Sequence, residues 1–247
     1  MKQLKDKIIQ TIYQLRNHVS KFLIAYNQSE AWHSFSQCGE DLIVNYIFSN
    51  YLKIERPTYI DIGAHHPFYL SNTYYFYLKG SHGVCIEPDP DLFKKIKLMR
   101  QRDVCINAGI GDSSKAYSEF FVMTTKTLNT FSKKEAKRYE SYGNNKIENV
   151  LRIPLLTFSD VINSHFKNPP NFVSLDVEGN DLAILQSINL EKIRPQVFCI
   201  ETLTYVEDKS EKKITSIIEF MEHNGYFLYA DTYINSIFID KSAWQSR

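Results

Sequence analysis

The chain of 247 residues is long enough for one large α/β domain, and its 43% of hydrophobic residues suffices for a core of that size. With 29 Lys and Arg against 28 Asp and Glu, the formal charge of +1 provides no overall field for nucleic acid or an anionic membrane. Cys38, Cys85, Cys105 and Cys199 are spaced too widely for a zinc ribbon or a redox pair. Three of them fall in predicted strands as small apolar side chains, and a reducing cytoplasm is the expected compartment.

Leu4, Ile8, Ile12, Leu15, Val19, Phe22 and Leu23 recur at helical spacing, so residues 1–35 are predicted as a long amphipathic helix ahead of a domain over residues 36–247. Its apolar face is expected to pack on the domain or on a second copy, which would make a homodimer, rather than on a membrane surface. Lys5, Asp6, Lys7 and Gln10 interrupt it where a signal-peptide core needs apolar residues, and no later run has the length of a membrane span. A second helix is predicted from Asp41 to Tyr51. Beyond it, short apolar runs alternate with helical stretches: Thr58 to Ile62, Gly83 to Ile86, Val104 to Asn107, Asn171 to Asp176 and Val197 to Glu201.

Such alternation predicts a mainly parallel sheet with helices on both faces. After a helix from Glu211 to Asn224, the runs Tyr226 to Ala230 and Ser236 to Asp240 flank a turn at Thr232 to Asn235 and read as an antiparallel hairpin. A seven-stranded sheet finishing this way has the arrangement of Rossmann-like methyltransferases, a comparison at the level of fold only. Residues 112–154 are less regular. They are expected to form either an insertion over the carboxyl edge of the sheet, able to act as a lid, or a solvated helix and loop.

Chemistry is expected at the strand ends, where ligands of open parallel sheets bind. Asp61 ends the first strand and Glu87 the second. The first turn, DIGAHHPFYLSNT, has one glycine and two histidines where a dinucleotide fold has G-x-G-x-x-G, so little room is left for the diphosphate of NAD or FAD. A nucleoside cofactor with a carboxylate and an amine fits better. Backbone N–H groups near Gly63 would bind the carboxylate, Asp61 would orient the ammonium through neighbours or water, Glu87 would accept both ribose hydroxyls, and Asp112 would accept from the adenine amino group. Together Asp61, Gly63, Glu87, Asn107 and Asp112 describe a pocket for S-adenosylmethionine. Ala64, Ser71, Asn72, Pro88, Gly109 and Asp176 complete the expected cofactor contacts. Any one of these acids, taken singly, reads equally as a surface carboxylate or a helix cap.

Six ordered motifs carry a family resemblance: SQCGED at Ser36 to Asp41, DIGAHHP at Asp61 to Pro67, SNTYYFY at Ser71 to Tyr77, GVCIEPDP at Gly83 to Pro90, NAGIGD at Asn107 to Asp112 and SLDVEGND at Ser174 to Asp181. With FCIE at Phe198 to Glu201, the chain from about Ser36 resembles the FkbM-type S-adenosylmethionine-dependent methyltransferases. The resemblance implies a Rossmann-like fold, S-adenosylmethionine as methyl donor, and Gly63, Glu87 and Asp112 as donor contacts. It also implies O-methylation, in many members of sugars, polyketides or other natural products.

Methyl transfer to oxygen is an in-line displacement. Alignment alone supplies about 7 to 11 kcal/mol in well-oriented model reactions, and a base or cation must manage the hydroxyl proton. Candidates at the carboxyl edge are Asp176, Glu178, Glu201, His65 and His66. Asp176 and His65 are the alternatives for the base, while His66, preceding Pro67, also reads as structural. Asp176, Glu178 and Glu201 offer three hard oxygen ligands suited to Mg2+; the competing reading is cofactor positioning for Asp176 and a helix cap for Glu178. Lys126 to Tyr142 and Thr202 to Asp208 are candidate acceptor walls, with Glu178 and Glu201 touching the substrate and Tyr139, Tyr142 and Tyr205 able to stack on sugar faces. The expected acceptor is a hydroxyl of a sugar, nucleotide-sugar or glycan, as in polysaccharide biosynthesis, and not nucleic acid. Two other classes share these features: a nucleotide-dependent oxidoreductase and a non-catalytic S-adenosylmethionine-binding module.

Overall fold

The computed structural model describes residues 33–111, 114–203 and 211–246. The helix predicted for residues 1–35 therefore lies, up to residue 32, outside the described residues, and with it the homodimer it would make. Helix α1 (Glu40–Tyr46) runs on as a π-helical stretch, Ile47–Leu52, and Lys53 ends it in the left-handed region at φ 55°. There follow β1 (Tyr59–Ile62), α2 (Tyr74–Leu78), β2 (Gly83–Ile86), α3 (Pro90–Met99), β3 (Val104–Ile106), β4 (Gly109–Ile110), β5 (Tyr117–Met123), α4 (Lys133–Ser141), β6 (Ile147–Leu156) and α5 (Phe158–His165). The remainder comprises β7 (Phe172–Leu175), α6 (Asp181–Ser187), β8 (Val197–Glu201), α7 (Thr215–His223), β9 (Tyr226–Asp231), β10 (Asn235–Asp240) and α8 (Lys241–Gln245).

The main sheet has the order β3-β2-β1-β7-β8-β10-β9, parallel throughout except that β10 runs antiparallel to both neighbours. This is the Rossmann-like methyltransferase arrangement expected from the sequence. The parity of each strand divides the core between two faces. Ile60, Ile62, Val84, Ile86, Val173, Leu175, Phe198 and Ile200 face α5, α6 and α7, meeting Val161, Ile184, Leu185, Ile217 and Met221. Tyr59, Phe172, Val197, Cys199, Ile237 and Ile239 face α1 and α2, meeting Val44, Phe48 and Phe76. All strands from β1 to β8 in this sheet except β3 are buried along both faces, which is why they read as continuous apolar runs. Helix α3 starts where Asp89 accepts from the N–H groups of Asp91 and Leu92 at 2.9 and 3.4 Å, with Pro90 at its first position. Cys85 and Cys199 are buried and unpaired, as their strand positions predict, whereas Cys105 is half-buried.

Residues 112–154 are neither a plain loop nor one solvated helix. They carry most of a second sheet, β4-β6-β5, whose long antiparallel ladder pairs Tyr117 with Pro154 through Met123 with Ile147. Phe121, Met123, Leu128, Ala136 and Tyr139 form a separate small core beneath α4. The insertion thus has its own packing, and its connecting turn, Lys126–Leu128, hangs over the carboxyl edge of the main sheet.

Candidate active site

A cavity of about 570 Å3 opens at the carboxyl edge, where the strand order reverses between β1 and β7. Gly63 makes the crevice. Its φ is 82°, and a Cβ there would lie 1.8 Å from the Asp176 carbonyl oxygen, so the ends of β1 and β7 can approach only with glycine. The first-turn N–H groups are turned inward: those of Gly63 and Ala64 donate to the Ile86 carbonyl at 3.0 and 3.1 Å, and that of His66 to the Ala64 carbonyl at 2.5 Å. They are therefore not free to hold a cofactor carboxylate, contrary to the sequence expectation. Closing this turn onto β2 has used them.

Glu87 ends β2 at the other side of the same turn. Its Oε2 accepts from the His65 N–H and its Oε1 from the Asp89 N–H, both at 2.8 Å. Each oxygen retains an acceptor site for a further donor. Burial raises the carboxyl to about 8, against the pull of those two N–H bonds. Asn107 fixes this corner from below, donating to the Glu87 and Pro88 carbonyls at 2.8 and 2.9 Å.

Across the crevice, β7 and β8 end in three half-buried acids, Asp176, Glu178 and Glu201, each offering one carboxylate oxygen within 4.8 Å of the others. Desolvation and then the charge of Asp61 raise Asp176 to about 6, while a hydrogen bond with Glu201 pulls the other way. Glu178 and Glu201 are raised as well, by burial first and by their acidic neighbours second. The three carboxyls therefore hold their protons more tightly than isolated carboxyls do. Two elements of the insertion hold its position: the Tyr139 hydroxyl donates to Glu178 Oε2 at 2.9 Å, and Thr130 Oγ1 to the Glu178 carbonyl at 2.8 Å.

A family model described as "Methyltransferase FkbM domain" matches residues 61–228, which span the crevice, both acidic edges and the insertion. The chain belongs to this family. It is accordingly an S-adenosylmethionine-dependent methyltransferase. No curated protein matches it. Among solved structures, a TehB-like methyltransferase from Corynebacterium glutamicum is 10% identical, with a TM-score of 0.40, covering 92% of this chain and 97% of that one. An O-methyltransferase from Bacillus cereus in complex with S-adenosylhomocysteine is 11% identical at a TM-score of 0.41, covering 90% of this chain and 87% of that one. A 1,6-didemethyltoxoflavin-N1-methyltransferase from Burkholderia thailandensis, with bound 1,6-didemethyltoxoflavin and S-adenosylhomocysteine, is 8% identical at a TM-score of 0.42, covering 89% of this chain and 84% of that one.

Several residues expected at the methyltransferase's site stand behind it instead. Asp61 shares the face of Tyr59 and points away from the cavity. Its Oδ2 accepts from Thr73 Oγ1 at 2.6 Å, and Thr73 Oγ1 in turn accepts from Arg100, a fully buried guanidinium that also bonds the Pro67 carbonyl, the Tyr59 hydroxyl and Asp103. Asn72 reaches Ser174 at 3.1 Å, Ser71 caps the start of α2 through the Tyr74 N–H at 3.1 Å, and Ala64 packs on Cys85 and Ile96. These residues shape the first turn and do not line the cavity. Gly63, Glu87, Pro88, Gly109, Asp176, Glu178 and Glu201 do line it. Asp112 and Tyr205 lie outside the described residues.

Of the two histidines, His65 faces the cavity, and burial, then His66, lowers its imidazole. His66 does not face it. Its Nδ1 accepts from the Tyr69 N–H at 3.0 Å, so it folds the turn and is corrected from a catalytic to a structural residue. Tyr139 is corrected likewise: its ring is 2% exposed and packs in the insertion core, so it cannot stack on an acceptor. Tyr142 packs against that same core and accepts from Arg138 at 2.9 Å. Of the predicted acceptor walls, Lys126 to Asn129, Phe131 and Leu203 border the cavity. Gln37, Tyr69 and Tyr233 also border it, and no sequence pattern marks them as site residues, because each comes from a loop whose place depends on long-range contacts.

Proposed function

We propose that the enzyme transfers a methyl group from S-adenosylmethionine to a hydroxyl of a sugar, nucleotide-sugar or glycan, in the cytoplasm, and that it is neither a nucleotide-dependent oxidoreductase nor a non-catalytic binding module. The observation that carries this reading is the separation of acids around one cavity, with Glu87 at the β2 end and Asp176, Glu178 and Glu201 at the β7 and β8 ends. Glu87 has an acceptor site to spare on each oxygen, which suits a ribose diol, and apolar Ile62, Ile86, Leu92 and Ala108 border the cavity on that side. The bound donor supplies an electrophilic methyl group. The chain's own residues must then align a hydroxyl oxygen and accept its proton. Asp176, raised to about 6, is ionised at neutral pH yet basic enough to take that proton, and the Glu178 and Glu201 carboxyls beside it offer hydrogen bonds to neighbouring hydroxyls. His65 is the alternative base at the cavity wall.

A second reading gives the three carboxylates a Mg2+ ion, which would lower the pKa of the hydroxyl; the mutual approach of their oxygens favours it. No helix among the described residues is long and apolar enough to cross a membrane, and the unpaired cysteines favour a reducing compartment. The test is a screen of purified enzyme with labelled donor against carbohydrate and nucleotide-sugar extracts, read by mass gain. Label in a sugar hydroxyl is expected; label only in amines or in no acceptor would overturn the reading.

A further inference from the structure

The segment Ser36 to Asp41 holds a carboxylate that the donor and acid sites leave unexplained. Glu40, at the first position of α1, is fully buried. Its Oε1 accepts from Thr232 Oγ1 at 2.7 Å and from Asn235 Nδ2 at 2.9 Å, and its Oε2 from the Cys38 N–H at 2.8 Å. Burial pushes this carboxyl up, but the bonds from Thr232, Asn235 and Cys38 outweigh it and hold it below the usual range. A buried charge satisfied in this way fixes whatever its partners belong to.

Two of those partners, Thr232 and Asn235, bracket Tyr233 and Ile234, the tip of the β9–β10 hairpin. Further bonds tie the tip: the Thr202 N–H donates to the Ile234 carbonyl at 2.9 Å and the Tyr233 N–H to Asp231 Oδ1 at 2.7 Å. Tyr233 itself has φ 75°, a left-handed conformation that costs a non-glycine residue about 1–2 kcal/mol and is usually given to Gly, Asn or Asp in a turn. Among the described residues, five non-glycines have positive φ, and four of them, His65, Leu70, Glu178 and Tyr233, border the same cavity at the carboxyl edge. Strain of this kind persists where the surroundings over-determine it, and it gathers at functional sites. The left-handed residue at the tip carries an aromatic side chain. Tyr233 is 61% exposed and borders the cavity on the side of β8 and β10, near the acids and away from Glu87.

We infer that Tyr233 is the acceptor platform, its ring stacking on the sugar whose hydroxyl meets the acid cluster, and that Glu40 is the positioning residue that holds the platform in place. A tyrosine ring presents a broad, rigid face at small entropic cost, and its hydroxyl stays in water, which suits a ligand with an apolar C–H face and a polar rim. The inference rests on the sugar-acceptor reading above and adds the residue that selects it.

The test uses the full chain with labelled donor and a panel of hexose methyl glycosides, UDP-sugars, GDP-sugars and oligosaccharide glycans. Calorimetry with S-adenosylhomocysteine runs alongside as the check on donor site and fold. For the panel member methylated by the wild type, Tyr233→Ala is expected to raise KM about tenfold or more, with kcat less affected, while Tyr233→Phe stays within about twofold. Glu40→Gln should raise the same KM, and combining it with Tyr233→Ala should add nothing further, since both act through one ring. Affinity for S-adenosylhomocysteine should be unchanged in every variant. An unchanged KM in Tyr233→Ala, a Phe variant as poor as the Ala variant, or a loss of S-adenosylhomocysteine binding would each overturn the platform while leaving the sugar reading standing. Failure of the wild type to methylate any panel member would instead overturn the sugar reading itself, and the platform with it.

Discussion

Replacing Glu87 by alanine should separate the donor site from the rest of the molecule. In the wild type both carboxylate oxygens are anchored by backbone N–H groups at 2.8 Å, which leaves one acceptor site on each for the two ribose hydroxyls. Two charge-assisted bonds are therefore lost, partly offset by the desolvation the carboxylate no longer suffers, giving a net weakening of about 1 to 3 kcal/mol, or 5- to 150-fold in Kd for S-adenosylhomocysteine. The pH dependence gives an independent handle. Because burial raises Glu87 to about 8, the free enzyme carries it mainly protonated at pH 7, while the diol is bound by the ionised form. Wild-type affinity should then climb by about tenfold between pH 7 and pH 9 relative to Glu87→Ala, the difference cancelling any titration of the ligand's own amine. Isothermal calorimetry at several pH values measures both quantities. Equal affinities of the two proteins across that range would remove Glu87 from the donor site and refute the reasoning.

Gly63→Ala forces a Cβ to within 1.8 Å of the Asp176 carbonyl oxygen at φ 82°, so it should destabilise the fold by about 2 to 4 kcal/mol, read as a lower urea midpoint. An unchanged midpoint would contradict the close approach of β1 and β7. If Asp176 is the base, kcat/KM for the methylated acceptor should rise with pH through about 6, since only the ionised form takes a proton, and Asp176→Asn should abolish that limb and cost about 100-fold or more. A limb that survives in the Asn variant points to His65. For stability the sign is opposite: the folded state holds the Asp176 proton more tightly than the unfolded state, so Asp176 lowers stability as pH rises from about 4 to about 6, and Asp176→Asn should flatten that slope in denaturant melts. A chelator should abolish transfer and Mg2+ restore it if the three carboxylates hold an ion; activity indifferent to the chelator would leave them as base and acceptor contacts alone.

Much of the fold could be read from strand runs. The run Thr58 to Ile62 predicts a strand where β1 spans Tyr59–Ile62, and Val104 to Asn107 one where β3 spans Val104–Ile106, because apolar runs bounded by turn residues stand out. The second sheet was not legible. In β6 Glu148, Asn149 and Val150 face solvent and Pro154 interrupts the strand pattern, so only pairing with β5 reveals it. In the site, Glu87, Asp176, Glu178 and Glu201 converge as the strand ends predicted. Asp61 does not, and strand parity accounts for it: it lies between Ile60 and Ile62, which face the opposite core. The remaining misses depend on contacts across long sequence separations. Tyr139 reaches Glu178 from 39 residues away and Thr232 reaches Glu40 from 192, so neither residue's role has a local signature.

The assignment of this cavity to S-adenosylmethionine is tested most directly by calorimetry of the purified chain with S-adenosylhomocysteine and, separately, with NAD. The crowded first turn, with its N–H groups spent on Ile86 and Glu87, predicts heat with S-adenosylhomocysteine and none with NAD. Heat with NAD alone would contradict the account.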